Sequence, residues 1–178
     1  MILYVVRHGV TECNARRLIQ GHTDIPLNEE GIAQARETKQ VLEGYSFDRV
    51  FVSPRKRAMQ TAEIVTAGRG IPLVAAEALQ ERGYGEFEGR HKETFDYYGF
   101  WDYGKDLHYR DAENIRDFFT RVWSFIDLLA DRFPKDKILL VTHAGVIRAI
   151  ECYFHPDKAD DQLGHWAPEN CSVHEYEL

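Results

Sequence analysis

The chain has 178 residues, of which 44% are hydrophobic and 29% charged, so it holds enough apolar material for the core of one ordinary domain. Its net charge of −7 argues against nucleic acid as the main partner, because a phosphate backbone needs a basic surface. No apolar run approaches the roughly 20 residues that a membrane-spanning helix needs. We therefore expect one domain over residues 1–178 that binds neither nucleic acid nor a membrane.

Short β-branched runs alternate with helical patterns along the chain. The runs predict strands at residues 2–6, 49–52, 138–142 and 172–176. Helices are predicted at residues 29–43, from Pro54 onward after Ser53, at 112–132 and at 145–153. This alternation is typical of a three-layer α/β/α sandwich with a mainly parallel central sheet.

A segment at residues 84–110 has no regular period. It holds nine aromatic residues mixed with charges. We interpret it as an insertion packed over one end of the sheet, either as a lid or cap or as a satellite hydrophobic cluster. The sequence leaves both interpretations open.

The cysteines at positions 13, 152 and 171 are odd in number and far apart, which is not the pattern of a disulfide scaffold. The first residues carry neither a basic leader nor a small-residue cleavage site, so they are expected to form a strand and not a signal peptide. A reducing, cytoplasmic location is therefore predicted.

Reactive side chains follow three of the predicted strands. They are Arg7, His8, Ser53, Arg57 and His143. Because the carboxyl ends of parallel strands lie along one edge of a sheet, we expect His8, Arg57 and His143 to meet in one crevice. Arginine offers a planar fork that matches phosphate oxygens, so an anion is the expected ligand.

Two histidines could instead bind zinc, but the neighbouring arginines would repel a cation and no HExxH-like pattern is present. No metal and no cofactor are therefore predicted. A neutral imidazole can attack phosphorus, and nearby arginines would lower its pKa and keep it unprotonated. These arguments apply equally to His8 and His143, so they do not decide which one is the nucleophile.

An alkoxide leaving group needs a proton, and Glu81 is the candidate donor, in a glycine-containing loop before the aromatic segment. A bound phosphate would favour the protonated form of a neighbouring carboxyl. On the residues alone Glu86, Glu88 and Glu93 compete for this role.

Five ordered motifs resemble those of the histidine phosphatase, or phosphoglycerate mutase-like, superfamily. Residues 7–14, RHGVTECN, resemble the family motif RHGxTxxN, and residues 21–27, GHTDIPL, with Gly31 and Gln34-Ala35 resemble GxxDxPLxxxGxxQA. Residues 53–62, SPRKRAMQTA, resemble SPxxRAxxTA, and residues 79–82, LQER, with Gly85, Glu88 and Gly89 resemble LxExxxGxxEG. Residues 142–148, THAGVIR, resemble THxGxIR. Two positions depart from the family pattern. Cys13 stands where tryptophan is frequent, and residues 112–114 read Ala-Glu-Asn where many members have Gly-Glu-Ser.

The resemblance implies a phosphoglycerate mutase-like fold and a metal-independent phosphatase with His8 as the nucleophile. It makes His143 a phosphate-binding partner and Glu81 the proton donor. The implied phosphate ligands and pocket-lining residues are Arg7, Arg57, Asn14, Gln20, Gly21 and Tyr84.

The expected activity is hydrolysis of a small phosphorylated metabolite through a phosphohistidine. One alternative is a cofactor-dependent phosphoglycerate mutase, although residues 90–112 lack an adjacent arginine pair. A non-catalytic phosphate-binding module is disfavoured because the motif residues of the site are all present. The sequence makes no prediction of oligomeric state.

Overall fold

The computed structural model describes residues 1–158 and 163–178. Its strands are β1 (Ile2–Arg7), β2 (Arg49–Val52), β3 (Leu73–Ala75), β4 (Lys137–Thr142) and β5 (Val173–Glu177). They form a sheet in the order β3-β2-β4-β1-β5, in which β5 runs antiparallel to β1 and the other pairs are parallel. The prediction of a mainly parallel sheet is confirmed.

Helices cover both faces of this sheet. They are α1 (Glu12–Ala15), α2 (Glu29–Val41), α3 (Lys56–Val65), α4 (Tyr97–Phe100), α5 (Ile115–Arg132) and α6 (Ala144–Phe154). Short 3-10 turns lie at Leu42–Gly44, Glu77–Leu79, Gly85–Phe87, Lys92–Thr94 and Pro156–Lys158. α2 and α3 share one core with the sheet and α5 and α6 share the other, as predicted for a three-layer sandwich.

The central strands bury side chains on both faces because successive residues of a strand point in opposite directions. In β1, Leu3 and Val5 belong to the core under α5 and α6, whereas Tyr4 and Val6 belong to the core under α2 and α3. Burying an aliphatic side chain of this size stabilises the fold by about 1.5–3 kcal/mol. The sheet is therefore a rigid base for the loops at its edges.

The start of α3 differs from the prediction. The sequence predicts helix from Pro54, but α3 begins at Lys56, because Arg55 remains extended with φ −71° and ψ 137°. The carbonyl of Arg55 accepts the first helical hydrogen bonds, from the amides of Ala58 and Met59 at 2.9 Å. Residues 53–55 therefore form a turn that leads from β2 into the helix.

The start of α5 also lies later than predicted. The helix begins at Ile115 and not at 112, because the Asn114 side chain caps it by accepting from the Arg116 amide at 2.8 Å. β3 was not predicted, since three residues are too few for a recognisable period. The other predicted bounds differ from the observed ones by at most two residues.

The strand register places three loops at one edge of the sheet. Val6 and Val52 both pair with Val141 of β4. The ladder continues one step further, because the His8 amide donates to the Thr142 carbonyl at 2.9 Å. The residues that leave β1, β2 and β4 therefore stand side by side, as the sequence predicts. No helix within the described ranges is long and apolar enough to span a membrane.

Candidate active site

A pocket of about 140 Å³ opens at this edge of the sheet. Its lining includes every predicted site residue except His143, namely Arg7, His8, Asn14, Gln20, Gly21, Arg57, Glu81 and Tyr84. His143 lies directly behind the lining, with its ring centroid 5.1 Å from that of His8. Folding therefore brings together residues that are more than a hundred positions apart in sequence.

His8 is held as a neutral imidazole with one nitrogen available. Its Nδ1 lies 2.7 Å from the Gly9 carbonyl, which can only accept, so Nδ1 carries the proton and Nε2 keeps its lone pair. Burial, followed by the charges of Arg57 and Arg7, lowers the pKa of His8 well below its ordinary value. A neutral ring with a lone pair is the form that a nucleophile requires.

Both ring nitrogens of His143 are engaged in hydrogen bonds. Its Nδ1 accepts from Nε of Arg57 at 3.3 Å, and its Nε2 lies 2.7 Å from the Ser53 hydroxyl. Burial and then the charge of Arg57 lower its pKa well below the ordinary value as well. The hydrogen bonds therefore distinguish the two histidines, which the sequence arguments could not, and they favour His8 as the nucleophile.

Arg57 connects the pocket to the loop that contains Gly21 and Thr23. It donates from Nη1 to the Thr23 carbonyl at 2.7 Å and from Nη2 to the Gly21 carbonyl at 2.8 Å. Burial lowers its pKa to about 10, so the guanidinium remains charged at neutral pH. Burying a charged group against neutral hydrogen-bond partners costs desolvation free energy unless an anion compensates the charge.

Arg7 is placed in the same way. It donates from Nη1 to the Pro168 carbonyl at 2.6 Å, and its buried Nε has no hydrogen-bond partner in the described part of the chain. Burial lowers the pKa of Arg7, and the charge of Glu81 opposes that effect. Arg7 and Arg57 therefore give the pocket two positive charges that suit a phosphate group.

Two amide side chains also line the pocket, Asn14 and Gln20. The Oδ1 atom of Asn14 accepts from the Thr11 amide at 3.1 Å, and Oε1 of Gln20 accepts from the Thr11 hydroxyl at 2.9 Å. Because their oxygens are engaged with Thr11, the NH2 groups of Asn14 and Gln20 remain as donors. Donors, and not acceptors, are what phosphate oxygens require.

Glu81 is held at the pocket by two backbone amides. Its Oε1 accepts from the Arg82 amide at 2.9 Å, and its Oε2 accepts from the Gly145 amide at 3.1 Å. Gly145 is the second residue of α6, and a Cβ atom there would lie 2.1 Å from Oε1 of Glu81. The glycine therefore allows the carboxyl to approach the helix N-terminus.

The competing carboxylates lie elsewhere. Glu88 accepts from the amides of His22 and Thr23, both at 2.7 Å, and so fixes the loop whose carbonyls hold Arg57. Glu86 pairs with Arg90 at 3.4 Å on the surface. Glu81 is the carboxylate that lines the pocket. Glu86, Glu88 and Glu93 are not among the residues that line it.

The aromatic segment contributes both a pocket wall and a core. Tyr84 and Tyr97 line the pocket, and the Tyr84 hydroxyl accepts from Nε1 of Trp101 at 3.0 Å. Phe100 stacks on Tyr84 at 4.7 Å between ring centroids. Phe100 and Trp101 are buried in the same core as α5 and α6. Residues of this segment therefore lie both at the pocket and in the core.

Sequence reasoning missed several residues of the site. The pocket is also lined by Leu18, Ile19, Tyr97, Ala144, Gly145, Arg148 and Ala167. Arg148 stands in the THAGVIR motif, which could have indicated it. Ala167 and the Pro168 carbonyl belong to a stretch before β5 that carries no motif, and only the fold brings it to Arg7.

Within residues 1–158 and 163–178, no group of three or more His, Cys, Asp or Glu side chains is arranged to hold a metal ion. The cysteines at 13, 152 and 171 all fall in these ranges, and none forms a disulfide.

The layered fold with a phosphate-sized, arginine-lined pocket at the carboxyl edge of its sheet defines an α/β protein built to bind phosphate esters. The family model described as histidine phosphatase superfamily (branch 1) matches residues 3–178. The chain belongs to this superfamily.

Known relatives support the same assignment. The chain is 36% identical over 148 residues to the uncharacterized phosphatase PhoE of Bacillus subtilis (strain 168), covering 82% of this chain and 73% of that protein. It is 36% identical over 154 residues to the adenosylcobalamin/alpha-ribazole phosphatase of Salmonella typhimurium, covering 83% and 76%. The solved structure of Bacillus stearothermophilus YhfR superposes with a TM-score of 0.87 at 31% identity, covering 99% of this chain and 91% of that one.

Proposed function

We propose that this protein hydrolyses a small phosphomonoester in two steps through a phosphohistidine on His8. The observation that carries the proposal is the bond between His8 Nδ1 and the Gly9 carbonyl, which leaves Nε2 as the free nucleophilic nitrogen of a buried, neutral ring. Membership of the histidine phosphatase superfamily and the phosphatases among its relatives support this activity.

In the first step Nε2 of His8 forms a bond to phosphorus while the ester P–O bond breaks. Arg7, Arg57 and the amide groups of Asn14 and Gln20 hold the phosphoryl oxygens. Glu81, in its protonated form, gives its proton to the departing alkoxide. The product alcohol leaves and His8 carries the phosphoryl group.

In the second step a water molecule attacks the phosphorus of phosphohistidine. Glu81, now a carboxylate, accepts the proton of that water as the N–P bond breaks. Inorganic phosphate leaves and the neutral imidazole of His8 is restored. Fixed guanidinium groups supply the positive charge throughout, so the chemistry needs neither metal nor cofactor.

A phosphoglycerate mutase is the second candidate, because 2,3-bisphosphoglycerate-dependent mutases are also among the relatives. A mutase would pass the phosphoryl group of phosphohistidine to a second hydroxyl and not to water. Hydrolysis is preferred because residues 90–112 lack an adjacent arginine pair. Release of inorganic phosphate without isomerised product separates the two candidates.

The aromatic segment at 84–110 is proposed to act as a cap that forms one wall of the pocket, within a single domain over residues 1–178. Its contacts support this, since Tyr84 and Tyr97 line the pocket while Phe100 and Trp101 anchor the segment in the core. A cytoplasmic location is proposed from the cysteine pattern.

The covalent step can be tested by quenching a reaction with a substrate labelled in its phosphoryl group. The label should appear on His8 as an acid-labile, base-stable phosphoramidate, and His8→Ala should abolish both label and turnover. His143→Ala should lower the rate but still allow slow labelling of His8, because His143 acts through the position of Arg57.

Two outcomes would contradict the mechanism in different ways. Label on His143 would reverse the two histidine roles while keeping the reaction class. Activity with no label on either histidine would mean direct attack by water, and the proposed intermediate would then be wrong.

A further inference from the structure

The carboxylate of Glu88 is bound by the loop at residues 21–23. Its Oε1 accepts from the His22 amide at 2.7 Å and from the Tyr84 amide at 3.3 Å, and its Oε2 accepts from the amide and the hydroxyl of Thr23 at 2.7 and 2.6 Å. Gly21 has a φ of 50°, and a Cβ atom there would collide with Oε1 of Glu88. Neighbouring backbone amides that converge in this way form an anion-binding nest, so the loop closes around a negative charge.

The opposite side of the same loop faces Arg57. The Gly21 carbonyl accepts from Nη2 of Arg57 at 2.8 Å, and the Thr23 carbonyl accepts from Nη1 at 2.7 Å. The N–H and C=O of a trans peptide point in opposite directions. The peptide group between Gly21 and His22 therefore joins the two ions, with its N–H on Glu88 and its C=O on Arg57. Hydrogen bonds in such a chain polarise one another, so the charge of Glu88 strengthens the carbonyl that orients Arg57.

Glu88 and Arg57 compensate each other without touching. In the part of the chain that the structure describes, neither of them forms a salt bridge. Burial lowers the pKa of Arg57, and the charges of Glu81, Asp24 and Glu88 oppose that effect. Glu81 is neutral when it acts as the acid, and Asp24 is bound to the Lys56 amide at 2.7 Å. Glu88 is therefore the carboxylate whose charge reaches Arg57 through a hydrogen-bonded peptide.

We propose that Glu88 is a positioning residue for phosphate binding, because it holds the loop whose carbonyls orient Arg57. This inference rests on the proposed function, in which Arg57 is a phosphate ligand. Nη1 and Nη2 each carry two hydrogens and use one of them on the loop, so two N–H groups are left for phosphoryl oxygens. Their aim depends on the plane of the guanidinium, which the two carbonyls set. Direct repulsion between Glu88 and phosphate is a smaller effect, about twofold in affinity, because the carboxylate is partly exposed to water.

The first test measures the dissociation constant of inorganic phosphate by isothermal titration calorimetry, which needs no turnover. Glu88→Gln should weaken binding by about tenfold, the loss expected for one charge-assisted hydrogen bond, because the new NH2 group faces loop amides that need an acceptor. Glu88→Asp keeps the charge and should recover part of the affinity. Glu86→Gln is the matched control and should bind phosphate like the wild type, since Glu86 pairs with Arg90 at 3.4 Å on the surface.

Two further measurements show whether Glu88 acts through Arg57. In an Arg57→Ala background, Glu88→Gln should change phosphate affinity by less than about twofold, because the group that it positions is gone. In steady-state kinetics, Glu88→Gln should raise KM by the same factor for glycerol 3-phosphate and for p-nitrophenyl phosphate. A greater loss on glycerol 3-phosphate would overturn the inference, because it would show action on Glu81, whose carbonyl lies 3.0 Å from Nε2 of His22.

The remaining outcomes separate this inference from the proposed function. Unchanged or tighter phosphate binding in Glu88→Gln, or a tenfold loss that persists without Arg57, would overturn the role of Glu88 and leave the hydrolysis standing. Phosphate binding that depends on Glu88 in a protein that forms no phosphohistidine would overturn the proposed function alone. If Glu88→Gln does not fold, Thr23→Val removes only the hydroxyl contact at 2.6 Å and should weaken phosphate binding by about threefold; an unchanged constant would overturn the inference.

Discussion

Adding one methyl group at Gly145 should disable Glu81, the proposed proton donor, without contacting His8, the proposed nucleophile. The new Cβ of Gly145→Ala would lie 2.1 Å from Oε1 of Glu81 and 2.7 Å from Trp101, whereas ordinary contact begins near 3.4 Å. Trp101 is fully buried and cannot yield easily. The Glu81 carboxyl must therefore move by about 1 Å, which also breaks its bond to the amide of residue 145. A displacement of that size costs roughly 100-fold in rate where a group acts in the transition state.

The loss should depend on the leaving group. Glycerol 3-phosphate expels an alkoxide that needs a proton, so its kcat should fall by about 100-fold. p-Nitrophenyl phosphate expels a stable phenolate, so its kcat should fall by less than about tenfold. Steady-state kinetics with both substrates measure this difference, and Glu81→Gln should reproduce it. Gly44→Ala is the matched control, because a Cβ at Gly44 meets no atom within 4 Å. An equal loss on both substrates would show that Glu81 does not protonate the leaving group.

Three further outcomes are expected. Arg57→Ala should raise the inhibition constant of inorganic phosphate at least about tenfold, because a charge-assisted contact is lost; an unchanged constant would contradict its role as a phosphate ligand. Activity should survive dialysis against EDTA, and a loss that magnesium or zinc restores would contradict the metal-independent mechanism. The free energy of unfolding should fall as pH drops below about 6.5, because His8 and His143 become protonated in the unfolded chain but stay neutral in the folded protein. The decrease should be at most about 1.4 kcal/mol per pH unit for each of these two buried histidines. Urea titrations of the wild-type protein and His8→Asn measure this, and an identical pH slope in the two would refute the depressed pKa of His8.

Much of the site could be predicted from the sequence because the fold could be predicted from it. Alternating strand and helix periods predicted a parallel sheet, and a parallel sheet places His8 and His143 at one edge whatever the loops do. What this reasoning could not supply was the direction of each ring. The contrast between a free Nε2 on His8 and a fully engaged His143 depends on Gly9, Ser53 and Arg57, whose approach is set by tertiary packing.

The remaining gaps have local causes. Pro54 suits a first helical position, but the extended Arg55 delays α3 so that the Ser53 hydroxyl reaches His143. Residues 166–168 contact Arg7 and Arg148 through backbone carbonyls. Every residue has a backbone carbonyl, so no residue type in the sequence indicates these contacts. Such contacts become visible only when the coordinates are known.

The buried arginines of the pocket make the stability of the folded protein depend on whether an anion is bound. An unoccupied pocket holds buried guanidinium charges that form no salt bridge within the described residues, so any bound anion should raise the free energy of unfolding as well as inhibit. At an anion concentration about 100 times its dissociation constant, this linkage amounts to about 2.7 kcal/mol. Phosphate in a storage buffer should therefore preserve the protein while masking its activity. Conditions that deplete phosphate should leave it fully active and shorter-lived.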